Sequence, residues 1–164
     1  TESIPASRRM ELESDRVKRL DAADANFERV RAALEAVPAE RQTALEKVWL
    51  RNTYLYLGDV AFDRGDDELA VRRYDAARQA YPSDPSSMIA MMQIVSSYAR
   101  RGEWAKATTA NERAKEQLAK LPADAFNSPD LPMSRQHWER WLEATTQIEL
   151  EKARASADAS KGGE

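Results

Sequence analysis

The side chains in this chain that could do acid–base or metal chemistry are few and scattered. His137 is the single histidine among 164 residues, and cysteine is absent. No multi-histidine or cysteine-based metal site, disulfide, thiol nucleophile or two-histidine relay can therefore be assembled. The acidic pairs Asp66-Asp67 and Glu149-Glu151 suit a helix cap and a solvated helix face better than an acid–base couple. Neither a glycine-rich phosphate loop nor a Gly-x-Ser-x-Gly elbow occurs. His137, next to Trp138, reads as a first-turn residue of a helix. The sequence thus points away from an enzyme and implies no cofactor and no metal.

Without catalytic chemistry, the apolar residues and their spacing carry the signal. The 25 basic and 28 acidic residues are interspersed and leave a net charge of −3, so no basic face announces nucleic acid. The longest apolar stretch, around Ser87 to Val95, is about half a membrane span, so direct membrane insertion by this segment is not expected. Mean hydropathy is −0.71, as expected of a soluble chain. Cytoplasm and periplasm fit equally well. The first residue is Thr1, and the expectation is that the chain was trimmed or excised from a longer or anchored one.

Glycine and proline divide the chain into helical blocks. Apart from Gly58, every one of them lies at an end or between periodic apolar segments. A first block covers 6–37, with Met10, Val17, Leu20, Phe27, Val30 and Leu34 at helical steps. A second covers 39–64, with Leu45, Val48, Trp49, Leu55, Val60 and Phe62 as its apolar residues, and Gly65 stops it. Asp66 or Asp67 can cap a third, 68–81. Pro82-Ser83-Asp84-Pro85 reads as a stop and a restart, with Asp84 as N-cap and Pro85 as first helical residue of a block over 85–101. Gly102 separates this from a block over 103–120. Residues 123–133 read as a loop. Ser134 can cap a last helix, 134–157, with Trp138, Trp141, Leu142, Thr145 and Ile148 as its apolar stripe. The tail 158–164 is expected to be disordered. No strand pattern is present, so the fold class is all-α, a single domain of antiparallel helix pairs.

The chain also repeats itself. Gly65-Asp66-Asp67-Glu68-Leu69-Ala70 and Gly102-Glu103-Trp104-Ala105-Lys106-Ala107 both place an acid after a turn glycine and an alanine five residues after it. Residues 51–84 resemble a tetratricopeptide repeat (TPR), a 34-residue helix–turn–helix, through Tyr54, Leu57-Gly58, Ala70, Tyr74, Ala77 and Pro82. The family's other first-helix aromatic place holds Ala61, with Phe62 beside it. Residues 88–122 resemble it more weakly: Met91 and Ile94 stand where Tyr54 and Leu57 stood and Ala107 and Ala114 match. Val95 replaces the glycine there, Asn111 replaces the aromatic, and Pro122 is displaced by three residues. Residues 22–38 echo a second repeat helix through Val30, Ala33 and Pro38.

The resemblance implies a TPR-like α-solenoid with a long N-terminal helix, two hairpins over 39–122 and a C-terminal capping helix. It implies a concave surface that receives a peptide or helix of another protein. Carried over position by position, that surface is Asn52, Leu55, Tyr56, Asp59 and Asp63 from the first repeat and Ile89, Met92, Gln93, Ser96 and Arg100 from the second. The family's carboxylate-clamping branch needs Lys and Asn where this chain has Leu55 and Asp59, so an anionic clamp is not expected. Methionine suits a surface that adapts to varied side chains. The alternative is a structural subunit of a larger assembly or homo-oligomer, held through the first and last helices.

Overall fold

A computed structural model describes residues 4–127 and 131–161. Six α-helices follow in order: α1 (Ala6–Glu35), α2 (Ala44–Arg64), α3 (Asp67–Ala80), α4 (Ser87–Arg100), α5 (Trp104–Lys120) and α6 (Arg135–Lys161). A short 3-10 turn at Ala123–Asn127 lies between the last two. No strand occurs among the described residues, so the protein is all-α. Each helix packs on the next along the chain, and α2 also touches α4.

The ends of the elements follow from local chemistry. α1 stops at Glu35, two residues before the expected end, and Gln42 closes it by donating from Nε2 to the carbonyls of Leu34 (2.8 Å) and Val37 (3.1 Å). α2 begins at Ala44 rather than Ala39 because Thr43 and Glu46 form a capping box. The Glu46 amide donates to Thr43 Oγ1 (3.2 Å) and the Thr43 amide to Glu46 Oε2 (2.7 Å). Asp66 caps α3 by accepting from the Leu69 amide at 2.9 Å. Gly65 and Gly102 are both left-handed, with φ of 84° and 71°. In each turn the next amide reaches back five residues, Asp66 to the Ala61 carbonyl and Glu103 to that of Tyr98, which satisfies the same orphan carbonyl twice in the chain.

Two further boundaries differ from expectation. Asp84 accepts from the Ser86 amide at 2.8 Å, but Pro85 remains in a turn and α4 starts only at Ser87. The last helix continues to Lys161, so residues 158–161 are helical instead of disordered, while 162–164 and loop residues 128–130 lie outside the described residues. Within the expected loop, Ala123–Asn127 forms the 3-10 turn because Phe126 is drawn into the core.

Two apolar clusters hold the helices together. The first joins Leu55 and Ala61 of α2, Ala70, Tyr74 and Ala77 of α3, Ala90, Ile94 and Val95 of α4, and Ala110 of α5. The second joins Met88 and Met91, Ala114 and Leu118, Leu121, Phe126, and Trp138 and Leu142 of α6. Ile89 and Trp141 pack against both. Gly58, Ala70 and Ala77 are buried, as the small-residue spacing predicts. The Tyr74 ring fills the space above Gly58, where an added methyl would stand within 2.8 Å of ring atoms Cε1, Cδ1 and Cζ. The same spacing recurs as Val95 and Asn111. There the larger residue sits on the first helix and the smaller on the second. Asn111 instead reaches α6, donating to the Leu142 carbonyl (3.1 Å) and Thr146 Oγ1 (2.7 Å).

α1 is attached mainly by polar contacts. Arg73 of α3, half-buried, donates to Asp24, to Glu28 (3.4 Å) and to the Leu57 carbonyl (3.0 Å). Arg64 pairs with Asp21 at 2.7 Å, and Tyr54 donates to Glu35 at 2.5 Å. Burial, reinforced by that Glu35 bond, pushes the Tyr54 hydroxyl up to about 12. Arg16 already meets the Asp63 carbonyl near the end of α2, so the first turns of α1 run past it. Every residue from Ile4 to Arg19 is exposed, including Met10 and Val17, which the periodicity had assigned to an apolar face. Val30 is exposed as well.

Candidate interaction surface on α2, α4 and α6

The helical period of α2 places Leu45, Trp49, Asn52 and Tyr56 on one stripe, at steps of four, three and four. Leu45 is 54% exposed, Trp49 52% and Tyr56 44%. A row of large apolar side chains left in water on one helix face is a candidate docking surface. The periodicity named Leu45 and Trp49 among the apolar residues of the second block without saying which way they face. Their spacing from Asn52 and Tyr56 was the signal that they belong to the outer stripe.

Of the ten residues carried over from the repeat pattern, the structure leaves some available and commits others internally. Tyr56 is exposed, and its ring lies 5.2 Å from that of Phe27 on α1. Asn52 is half-buried, with its Oδ1 accepting from Arg51 Nε at 3.2 Å. On α4, Ile89, Met92, Gln93 and Ser96 are half-buried. Ser96 Oγ donates to the Met92 carbonyl at 3.0 Å, which leaves its oxygen able to accept. Trp141 of α6, also half-buried, packs against the same two clusters that Ile89 touches. Ile148 farther along α6 is 55% exposed.

Three of the ten make contacts within the chain. Leu55 is 8% exposed and belongs to the first core cluster, because the step from Tyr56 back to Leu55 turns its side chain about 100° around the helix toward α3 and α4. It forms part of the wall of the core. Arg100 is a tie between α4 and the start of α3. Its Nε donates to Asp67 Oδ1 (2.8 Å) and Oδ2 (2.9 Å), its Nη2 donates to the Phe62 carbonyl (2.8 Å), and its guanidinium lies 3.7 Å above the Phe62 ring. Asp59 accepts from the Tyr74 hydroxyl at 2.7 Å. Burial pushes the Asp59 carboxyl above its usual range. The Tyr74 hydrogen bond opposes this and the nearby Asp63 charge adds to it. Asp63 is exposed at the same end of α2.

His137 is exposed at the start of α6, where its Nδ1 lies 2.9 Å from Ser134 Oγ. Among the described residues no group of three or more acids or histidines is placed to hold a metal ion, and no helix is long and apolar enough to cross a membrane. Compared with protein-family models, with curated proteins and with solved structures, the chain matches none.

Proposed function

We infer that this chain is a TPR-like interaction module that holds an apolar peptide or helix of another protein against α2, α4 and α6. Binding, not catalysis, is its task. The observation that carries the reading is the exposed row Leu45, Trp49 and Tyr56 on α2, together with the partial exposure of Ile89 and Met92 on α4 and Trp141 on α6. Such a surface combines rigid aromatic anchors with an adaptable methionine, and Asn52 and Gln93 can bond an incoming backbone. The TPR-like arrangement is supported by the two equivalent glycine turns, the Tyr74 ring seated on Gly58, and the contact between α2 and α4.

The test is a random peptide library displayed on phage and selected against the full chain. Selected peptides are expected to share apolar anchors, to lose binding in Trp49→Ala and in Met92→Ala, and to shift Trp49 emission to the blue. Peptides whose binding ignores both substitutions would refute the assignment.

A second reading, a structural subunit, is favoured by one observation: the first turns of α1 leave Met10 74% and Leu12 46% exposed. Sedimentation separates the two readings. An oligomer that dissociates in Met10→Glu plus Val17→Glu supports the subunit.

A further inference from the structure

We propose that the partner segment held on α2 is an amphipathic helix that sets a lysine or arginine against Asp59 and Asp63, about two turns beyond its apolar anchors. The inference rests on the α2 surface proposed above and names the chemistry of its occupant. Three and seven residues after Tyr56, the outer stripe of α2 continues into Asp59 and Asp63. Trp49, Tyr56 and Asp63 follow one another at steps of seven residues, so they lie in line at intervals of about 10 Å. A helix laid along this row presents its positions i, i+7 and i+14 at the same rise on one face. An extended segment covers about 10 Å in three residues, an odd step that turns the next side chain to its opposite face.

The two carboxylates have no cation of their own. Asp63 is exposed, and its carboxylate has no hydrogen-bond or ion-pair partner among the described residues. Asp59, half-buried, accepts from the neutral Tyr74 hydroxyl at 2.7 Å. The nearby cations are committed to other groups. Arg100 holds Asp67 and the Phe62 carbonyl. Arg64 pairs with Asp21 at 2.7 Å and Arg16 with Glu13 at 2.9 Å. Arg16 also reaches Asp63, but at its backbone carbonyl. Burial pushes the Asp59 carboxyl up, the Tyr74 bond opposes this, and the Asp63 charge adds to the rise, with no cationic side chain countering it. Asp63 also stands in the last turn of α2, where the helix dipole is negative and disfavours a carboxylate.

The apolar row therefore ends in negative charge that nothing among the described residues neutralises. A lysine or arginine of the partner relieves it while the apolar side chains beside that cation cover Trp49 and Tyr56. Nucleic acid and anionic lipid meet repulsion at the same place. A divalent metal ion finds two carboxylates there and no third acid among the described residues.

The probes are two synthetic helices of about 18 residues, long enough to be helical alone. Each carries leucines along one face, with two lysines closing that face at the C-terminal end in one helix and at the N-terminal end in the other. A twin of each has glutamine in place of the lysines. Fluorescence anisotropy with the full chain is expected to show one lysine helix binding about fivefold more tightly than its twin. The advantage should shrink at about 0.5 M salt, where the Debye length falls well below 10 Å. Asp59→Asn with Asp63→Asn should bring that helix down to its twin and leave the twin unchanged, whereas Trp49→Ala should weaken both. Far-UV circular dichroism checks that each variant is folded. Equal binding of lysine helix and twin, both weakened by Trp49→Ala, would overturn this inference and leave the α2 surface standing. A lysine advantage that survives the double asparagine variant would overturn it as well. Failure of both lysine helices to bind, or binding unaffected by Trp49→Ala, would refute the α2 surface and this inference with it. Sedimentation showing an oligomer of the chain that Trp49→Ala dissociates would seat a second copy on the row and overturn the proposal.

Discussion

The contact between Gly58 and Tyr74 can be tested by adding a single methyl group. In an exposed helix interior Gly→Ala stabilises by about 1 kcal/mol through backbone entropy. At Gly58 the new Cβ would fall within 2.8 Å of three Tyr74 ring atoms, well inside the ~3.5 Å at which carbon atoms meet. The ring cannot step aside easily. It is fully buried, and its hydroxyl is held by Asp59 at 2.7 Å. Overpacking of this kind costs about 3 kcal/mol at its upper end, so Gly58→Ala should be destabilising by about 2 kcal/mol net. With a urea slope of ~2 kcal/mol/M, the unfolding midpoint should fall by about 1 M. The control is the same substitution in a Tyr74→Ala background. Tyr74→Ala alone should cost about 3–5 kcal/mol as a cavity. Adding Gly58→Ala should then stabilise by about 1 kcal/mol, since nothing remains to clash. The sign of the glycine effect therefore reverses between backgrounds, a coupling of about 3 kcal/mol. Urea unfolding followed by far-UV circular dichroism reads all four proteins. A Gly58→Ala protein as stable as the parent, or no reversal, would refute the packing argument.

Two further outcomes follow from side chains that the core holds in place. Asn111→Ala removes the bonds to Leu142 and Thr146 and should cost about 1–2 kcal/mol, with hydrogen exchange accelerated in the first half of α6 before that of α2; uniform acceleration would argue against a local tie. Asp59 has a folded-state pKa raised above the unfolded value, chiefly by burial, so the native state binds its proton more tightly and stability from this group falls as pH rises through that window. Asp59→Asn retains an oxygen acceptor for Tyr74 and should be more stable than the parent at pH 7, with the advantage vanishing below the unfolded carboxylate value of about 3.9; an advantage independent of pH would exclude the titration as its source.

Much of the architecture was legible because its causes are local. Gly65 and Gly102 end helices through a left-handed residue followed by a long-reaching amide, and both elements depend on a few neighbouring residues. The spacing of Gly58, Ala70 and Ala77 likewise marked a close helix approach. Thr43-Ala44-Leu45-Glu46 was an equally local signal for the start of α2, a capping box legible at sequence level. The candidate surface was less legible. Periodicity shows that Leu45, Trp49 and Tyr56 share a face but not which way that face turns, since an apolar stripe looks the same whether a neighbouring helix covers it or water does.

By itself the sequence determined the helical class, the order of the helices, their glycine turns and the absence of cysteine and multi-histidine chemistry. These follow from backbone propensity and composition, which act within a few residues. Only the tertiary structure decided that Leu55 turns inward while Trp49 stays outside, and that Arg100 ties α4 to α3. It alone revealed Asn111 committing its amide to α6. Each of these depends on which helix lies beside which. That is settled by contacts between residues dozens of positions apart, such as Asn111 with Leu142 or Arg73 with Asp24.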